Sequence, residues 1–229
     1  MQPRQRLAQP RRGALLALSA LAITTLAGCS LPYRAMPLED TPAHARPFHQ
    51  QREGFVLSAD LLSRPSETAA HLFFELQERD LYPVVLHVEN SGSRTAILRR
   101  EAMVLRLEGV ETALKPLDPD AVIDEVRTSP VMAYVGLPLI VPYLVGRQEI
   151  AEFNFAMESD YRTKSFPRYL RVAPGDADSA RVIFFRIPSD IVDKLERSPV
   201  LEVQAEIESI QSDAGTVRGK NVQFLLSLG

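Results

Sequence analysis

The sequence predicts a mainly β protein: an antiparallel β-sandwich with short helices and an apolar insertion in mid-chain. Three observations carry this. Apolar and polar residues alternate over several short runs, most cleanly where Leu201, Val203, Ala205 and Ile207 oppose Glu202, Gln204, Glu206 and Glu208. Clusters of Asn, Asp, Ser and Gly separate these runs, and such residues turn the chain. Proline is frequent, at 17 of 229 residues, while aromatic content is 7% and Trp is absent, which suits loop-rich β structure better than a helix bundle.

In chain order, residues 30–53 hold Pro32, Pro37, Pro42 and Pro47 among polar residues with no period, the pattern of an extended tether. In polyproline geometry, at about 3.1 Å per residue, this tether reaches on the order of 70 Å. His44 and His49 fall within it as solvated side chains rather than metal ligands. Residues 54–62 predict a strand with Phe55, Leu57, Ala59 and Leu61 on one face. Ser66, after Pro65, is the N-cap of a predicted helix whose stripe is Ala69, Leu72, Phe73 and Leu76. Residues 83–89 alternate with Val84, Leu86 and Val88 on the core face, and Asn90-Ser91-Gly92-Ser93 turns the chain. Strands follow at 95–98 and 103–108, the latter with Met103, Leu105 and Leu107 inward. Gly109 breaks the pattern, and 110–114 pairs as a short further strand.

Asp118-Pro119 starts a short helix to about Arg127, with Val122, Ile123 and Val126 on one side. Residues 147–157 favour helix through Ile150, Phe153 and Met157, although Phe153, Phe155 and Met157 also alternate. A polar loop then leads into strands at 169–172, 181–187, 201–210 and 217–228. The last two join through Ser212-Asp213-Ala214-Gly215, and a short helix at 189–197 precedes the third. The run Val85-Leu86-His87-Val88-Glu89-Asn90-Ser91-Gly92 resembles the strand, Asn, Ser, turn segment of immunoglobulin-like lipoprotein and surface domains. That resemblance covers about ten residues and implies an immunoglobulin-like architecture, with no function attached.

The N-terminus carries the strongest signal. Arg4, Arg6, Arg11 and Arg12 precede an apolar run from Ala14 to Ala27, too short for the roughly 20 residues of a bilayer span and right for a secretory signal. The run ends in Leu26-Ala27-Gly28-Cys29, which resembles the lipobox of bacterial lipoproteins. The resemblance implies cleavage between Gly28 and Cys29, lipid on Cys29, and a mature chain anchored by acyl groups. An ordinary secretory signal, or a signal anchor with Cys29 incidental, are the alternatives. Ser30 follows the cysteine, and by resemblance to Gram-negative lipoproteins this allows export to the outer membrane, facing the periplasm. The expected organisation is a signal peptide at 1–28, lipidated N-terminus and tether at 29–53, and a β-sandwich domain at 54–229.

Residues 1–28 hold four arginines and no acidic residue, so their removal changes the net charge from −3 to −7, with 22 basic against 29 acidic residues. That sign argues against nucleic acid or an anionic surface as a general electrostatic partner. Cys29 is the only cysteine, which excludes an intramolecular disulfide and a cysteine-built zinc site. No Gly-x-Ser-x-Gly elbow, Walker loop or Gly-x-Gly-x-x-Gly occurs, so hydrolase and nucleotide chemistry lack their motifs and no cofactor is implied. His87 and Glu89 share a strand face, but that face is the one polar residues occupy for solvation. Asp118, Asp120 and Asp124 fit helix capping and lack the glycine and terminal glutamate of a calcium loop.

Two stretches remain as interaction candidates. The uncharged segment 130–146 holds Val131, Tyr134, Leu137, Leu139, Ile140 and Tyr143 between Pro130, Pro138 and Pro142. It is core if buried, and a partner or lipid contact if exposed. Residues 161–171 bring Arg162, Lys164, Arg168 and Arg171 together with Tyr161, Phe166 and Tyr169, suited to lipid head groups or peptidoglycan carboxylates, or to a plain solvated loop. The sequence therefore predicts a non-enzymatic envelope lipoprotein that scaffolds or binds another envelope component. A lipid-binding or membrane-perturbing module acting through 130–146 is the alternative, and an enzyme on envelope polymers using scattered carboxylates such as Glu75, Glu89 or Asp160 is a third reading.

Overall fold

The computed structural model describes residues 32–127, 140–197, 199–210 and 217–228, with the backbone alone at 140–147, 178–179, 209–210 and 217–218. Gly28, Cys29, the segment from Pro130 through Leu139 and the turn at 212–215 lie outside the described residues. The chain divides into two compact units, Tyr33–Arg127 with Phe155–Gly229, and Met1–Pro32 with Thr128–Asn154. The first carries every strand found among the described residues. Of the second, the described part is Pro32 and the leading portion of one helix.

Among the described residues, eight strands form two four-stranded antiparallel sheets, accompanied by three helices. The strands are β1 (His49–Arg52), β2 (Phe55–Leu61), β3 (Leu81–Asn90), β4 (Ala96–Arg106), β5 (Tyr169–Val172), β6 (Ala177–Arg186), β7 (Val200–Ile210) and β8 (Val217–Ser227). The first sheet runs β1-β2-β3-β6 and the second β5-β4-β7-β8. The helices are α1 (Pro65–Leu72), α2 (Pro119–Val126) and α3 (Ile140–Lys164).

Alternation explains the register. Leu57 pairs with Val88 and Ala59 with Leu86, so the apolar residues of β2 and β3 meet on one face. Leu201 pairs with Leu105 and Val203 with Met103, which does the same for the second sheet. A single apolar cluster draws on both sheets, with Leu57, Leu86 and Phe185 from one and Met103, Val203 and Phe224 from the other. Each such side chain contributes about 1.5–3 kcal/mol on burial.

Several expectations are corrected. The runs at 95–98 and 103–108 form one strand, β4, because the polar Arg99-Arg100-Glu101 step is taken up by a register shift between Leu98 and Met103. Residues 110–114 contribute only a bridge from Leu114 to Leu105. Residues 189–197 form a 3-10 turn, Val192–Glu196. Helix α1 begins at Pro65 with Arg64 as N-cap, so Ser66 lies in the first turn. It ends where Phe73 turns left-handed (φ 68°), which moves Leu76 into a separate 3-10 turn, Leu76–Arg79. The polar loop expected after Met157 is helical through Lys164, because Met157 and Tyr161 continue one buried stripe at i, i+4.

The second face of the first sheet is also covered. Val85 and His87 are buried, contrary to the solvated face expected for them, and Tyr161 of α3 stacks on Phe184 of β6 with ring centroids 5.9 Å apart. Asn90 ends β3 by donating to the carbonyls of Arg94 and Val172 and accepting from the amide of Gly92, which ties the turn after β3 to the end of β5. Gly54 (φ +83°) packs so closely here that a Cβ would stand 2.4 Å from Gly92 Cα.

Candidate functional site

The largest departure from the sequence reading concerns residues 33–53, which are not a free tether. Their prolines keep the backbone extended and leave its polar groups open to the body of the protein. Tyr33 packs on Phe73 at 5.3 Å and donates its hydroxyl to Asp160 Oδ2 at 2.6 Å. The Met36 amide donates to the Ala70 carbonyl, and the Met36 carbonyl accepts from Lys164 Nζ at 2.9 Å. Lys164 donates also to the His71 carbonyl and to Asp160 Oδ2, each at 2.7 Å. Burial and the Asp160 carboxylate together push the Tyr33 hydroxyl far above its ordinary pKa, so it stays a donor.

Further along, Ala43 is buried, His44 pairs with Glu89 at 2.6 Å and Arg46 pairs with Asp60. His87 Nε2 lies 3.5 Å from Asp60, an ion-pair distance too long for a well-formed hydrogen bond, and both it and Ser58 Oγ are buried without a hydrogen-bond partner. Burial works against ionisation of Asp60, yet His87 and Arg46 outweigh it and hold the carboxyl below the usual range. Strand β1 then pairs with β2, and the Gln50 side-chain amide bonds both the amide and the carbonyl of Leu225 on the edge strand β8.

A cleft of about 430 Å³ opens where β4, the start of α2 and the end of α3 meet. Three guanidinium groups, of Arg100, Arg162 and Arg181, share it with Asp118 and Asp120, and Ser165, Phe166 and Pro167 complete its lining. Arg100 is committed: it donates to Asp118 at 2.7 Å and to the Phe166 carbonyl at 3.3 Å. Arg181 donates to the Thr163 carbonyl at 2.6 Å. Arg162 pairs with Asp120 at 3.1 Å with both side chains mostly exposed, and a pair of that kind is worth about 0–1 kcal/mol. A carboxylate or phosphate oxygen taking the place of Asp120 would give up little and would meet a planar, bidentate donor.

Of the basic residues singled out, the structure brings only Arg162 into this cleft. Lys164, two positions on, points the other way and is 90% buried in the Tyr33 corner, so it is a fastening and not a contact for a partner. Arg168 stands 4.0 Å from Glu101 and Arg171 pairs with Glu208 at 3.0 Å, both on exposed side chains. Ile140 and Tyr143 lie on the backbone of α3, whereas Val131, Tyr134, Leu137 and Leu139 fall outside the described residues, as do Gly28 and Cys29. Asp118 is the N-cap of α2, accepting from the Asp120 amide at 3.0 Å. Sequence reasoning missed Arg100 and Arg181 because they come from strands far apart in the chain. It missed Tyr33 because nothing periodic surrounds it.

Among the described residues, no group of three or more His, Cys, Asp or Glu side chains is placed to hold a metal ion, and no helix is long and apolar enough to cross a membrane. No protein-family model, curated protein or solved structure matches the chain.

Proposed function

We propose that the chain is an envelope lipoprotein, cleaved after Gly28, held by lipid on Cys29 at the periplasmic face of the outer membrane, and acting without catalysis as a scaffold or binding module for another envelope component. The observation that carries this reading is the basic stretch, apolar run and Leu26-Ala27-Gly28-Cys29 in series. In this reading the two sheets form an immunoglobulin-like sandwich, supported by the apolar cluster they share. The arginine-lined cleft is its candidate binding site, suited to a carboxylate or phosphate on the partner. Crosslinking in intact cells tests it: a specific envelope component is captured, and Arg162→Ala or changes within 130–146 reduce that capture. Capture indifferent to both sets of changes removes these sites.

A second reading, a lipid-binding or membrane-perturbing module acting through 130–146, is favoured by Phe155, which stands 76% exposed on the same helix that begins at Ile140. A non-acylated chain beginning at Ser30 then binds liposomes and loses binding when 130–146 is replaced. Absence of binding by the intact version refutes this reading. Truncation at 53 is unsuitable, since it removes β1 and the Tyr33 corner.

A further inference from the structure

The outward face of the second sheet has a place where apolar and charged side chains converge. Leu201 and Val203 enter the core, so Val200 and Glu202 stand on the opposite face of β7. The register sets Val200 opposite Arg106 of β4 and Glu202 opposite Leu225 of β8. A cleft of about 650 Å³ opens over these residues, within the usual range of small-molecule sites. Arg197, just after the 3-10 turn Val192–Glu196, also lines it. Its base is well fixed. Gln50 bonds the amide and carbonyl of Leu225, and the Leu228 amide donates to the Pro199 carbonyl at 2.9 Å, while the Leu225 side chain remains 45% exposed.

Glu202 has a side chain only 10% exposed, although Gln204, two positions along the same face, is open to solvent. Both carboxylate oxygens are engaged: Arg106 Nε donates to one at 2.8 Å and Gln223 Nε2 to the other at 2.7 Å. The bond from Arg106 holds the carboxyl below its usual range, so Glu202 stays an anion. The consequence for Arg106 is orientation. With Nε committed, its two Nη groups make no hydrogen bond among the described residues, and they form the end-on fork that a carboxylate accepts. The Arg197 guanidinium makes no hydrogen bond or ion pair among the described residues; Asp193, the carboxylate that feels its charge, is already paired with Lys194 at 2.6 Å.

The charge balance narrows the ligand. Arg106 and Arg197 share the cleft with Glu202 and the exposed Glu108, so the lining is neutral. A single negative charge can use the two guanidinium groups, whereas a second one meets two carboxylates and no net attraction. Leu107, Val200 and Leu225 add an apolar wall. We propose that this cleft binds an organic monocarboxylate with an apolar tail, its carboxylate held by Arg106 and Arg197 and its tail laid on Val200 and Leu225. A short fatty acid and the carboxyl end of an apolar peptide share this chemistry. The site has no residue in common with the cleft of Arg162, and it stands whether or not Cys29 is acylated.

The test uses the full chain in phospholipid nanodiscs with methyl-labelled leucine, and follows the Leu225 methyl resonances, assigned by their loss in Leu225→Ala. At about pH 8, where a phosphate monoester is a dianion, hexanoate shifts them saturably. Acetate, which lacks the tail, and hexanol, which lacks the charge, each bind at least about tenfold more weakly. Hexyl phosphate binds no more tightly than hexanoate. Arg197→Gln removes no hydrogen bond or ion pair among the described residues, so it keeps the wild-type melting temperature while hexanoate binds about tenfold more weakly. N-acetyl-leucine separates the two sources: binding tighter than hexanoate assigns a peptide terminus, weaker binding assigns a fatty acid, and either supports the site. The proposal is overturned by the absence of a saturable shift with both carboxylates, by hexanol binding as well as hexanoate, or by undiminished hexanoate binding in Arg197→Gln. Tighter binding of hexyl phosphate overturns the choice of a monocarboxylate.

Discussion

Replacing Lys164 by Met removes an ammonium that makes three hydrogen bonds, to the carbonyls of Met36 and His71 and to Asp160, within 2.7–2.9 Å. The substitution keeps the unbranched stem and its packing, so the loss is electrostatic. Breaking one side of a fully buried pair costs about 3–5 kcal/mol. Here Asp160 keeps the Tyr33 hydroxyl as a donor and is 26% solvent-exposed, which lowers the expected cost to about 2–3 kcal/mol. At about 2–4 °C per kcal/mol for a chain of this size, the melting temperature falls by roughly 4–12 °C. Calorimetry on both chains reads this directly, and hydrogen exchange at the Met36 amide reports whether the lead loosens first. Tyr33→Phe on top of Lys164→Met should cost less than the two changes separately, since both act through Asp160. A Lys164→Met chain melting within 1 °C of wild type, with Met36 still protected, refutes the fastening role.

The remaining predictions concern the supports of the fold. Gly54→Ala places a side chain at φ +83° and a Cβ against Gly92 Cα, so it should cost about 2–4 kcal/mol in a denaturant titration, whereas Gly109→Ala, at φ +76° with open space around it, costs about 1–2 kcal/mol. Asp118→Ala loses the N-cap of α2 and the Arg100 partner, with an expected loss of about 1–2 kcal/mol measured the same way. Asp60 has a folded pKa below its unfolded value, so its contribution is present above about pH 4 and disappears as pH falls through the lower folded value. Wild type should therefore exceed Asp60→Asn in urea midpoint at pH 5, and the gap should close as pH falls below the ordinary carboxyl value and through the lowered folded one. A constant gap across that window contradicts the assignment.

Strands β2, β3 and β7 were legible in the sequence because each buries one face in the shared core, so the period of two survives in residues such as Leu57, Val88 and Val203. The helix N-terminus at Asp118-Pro119 was legible for a local reason, a capping side chain one residue before a proline. The docked lead was not, because Met36 is held through its backbone and a backbone contact leaves no mark on residue choice. Lys164 misled for another reason. Grouped with Arg162, Arg168 and Arg171 by charge, it belongs by helical period with Met157 and Tyr161 on the buried side. His87 lies on a face that alternation assigns to solvent, yet it is buried, and on the same sheet Tyr161 of α3, remote in sequence, stacks on Phe184. The arginine cleft combines residues 100, 118–120, 162 and 181, a proximity that no local pattern encodes.

The proposed lipoprotein anchor stands or falls at Cys29. Metabolic labelling with a fatty-acid analogue, followed by mass spectrometry of the N-terminal peptide, compares the wild-type chain with Cys29→Ser. A lipoprotein yields a mature N-terminus at Cys29 carrying acyl groups, with both labelling and cleavage before residue 29 lost in the variant. Unlabelled wild-type protein, or equal labelling and processing of Cys29→Ser, contradicts it.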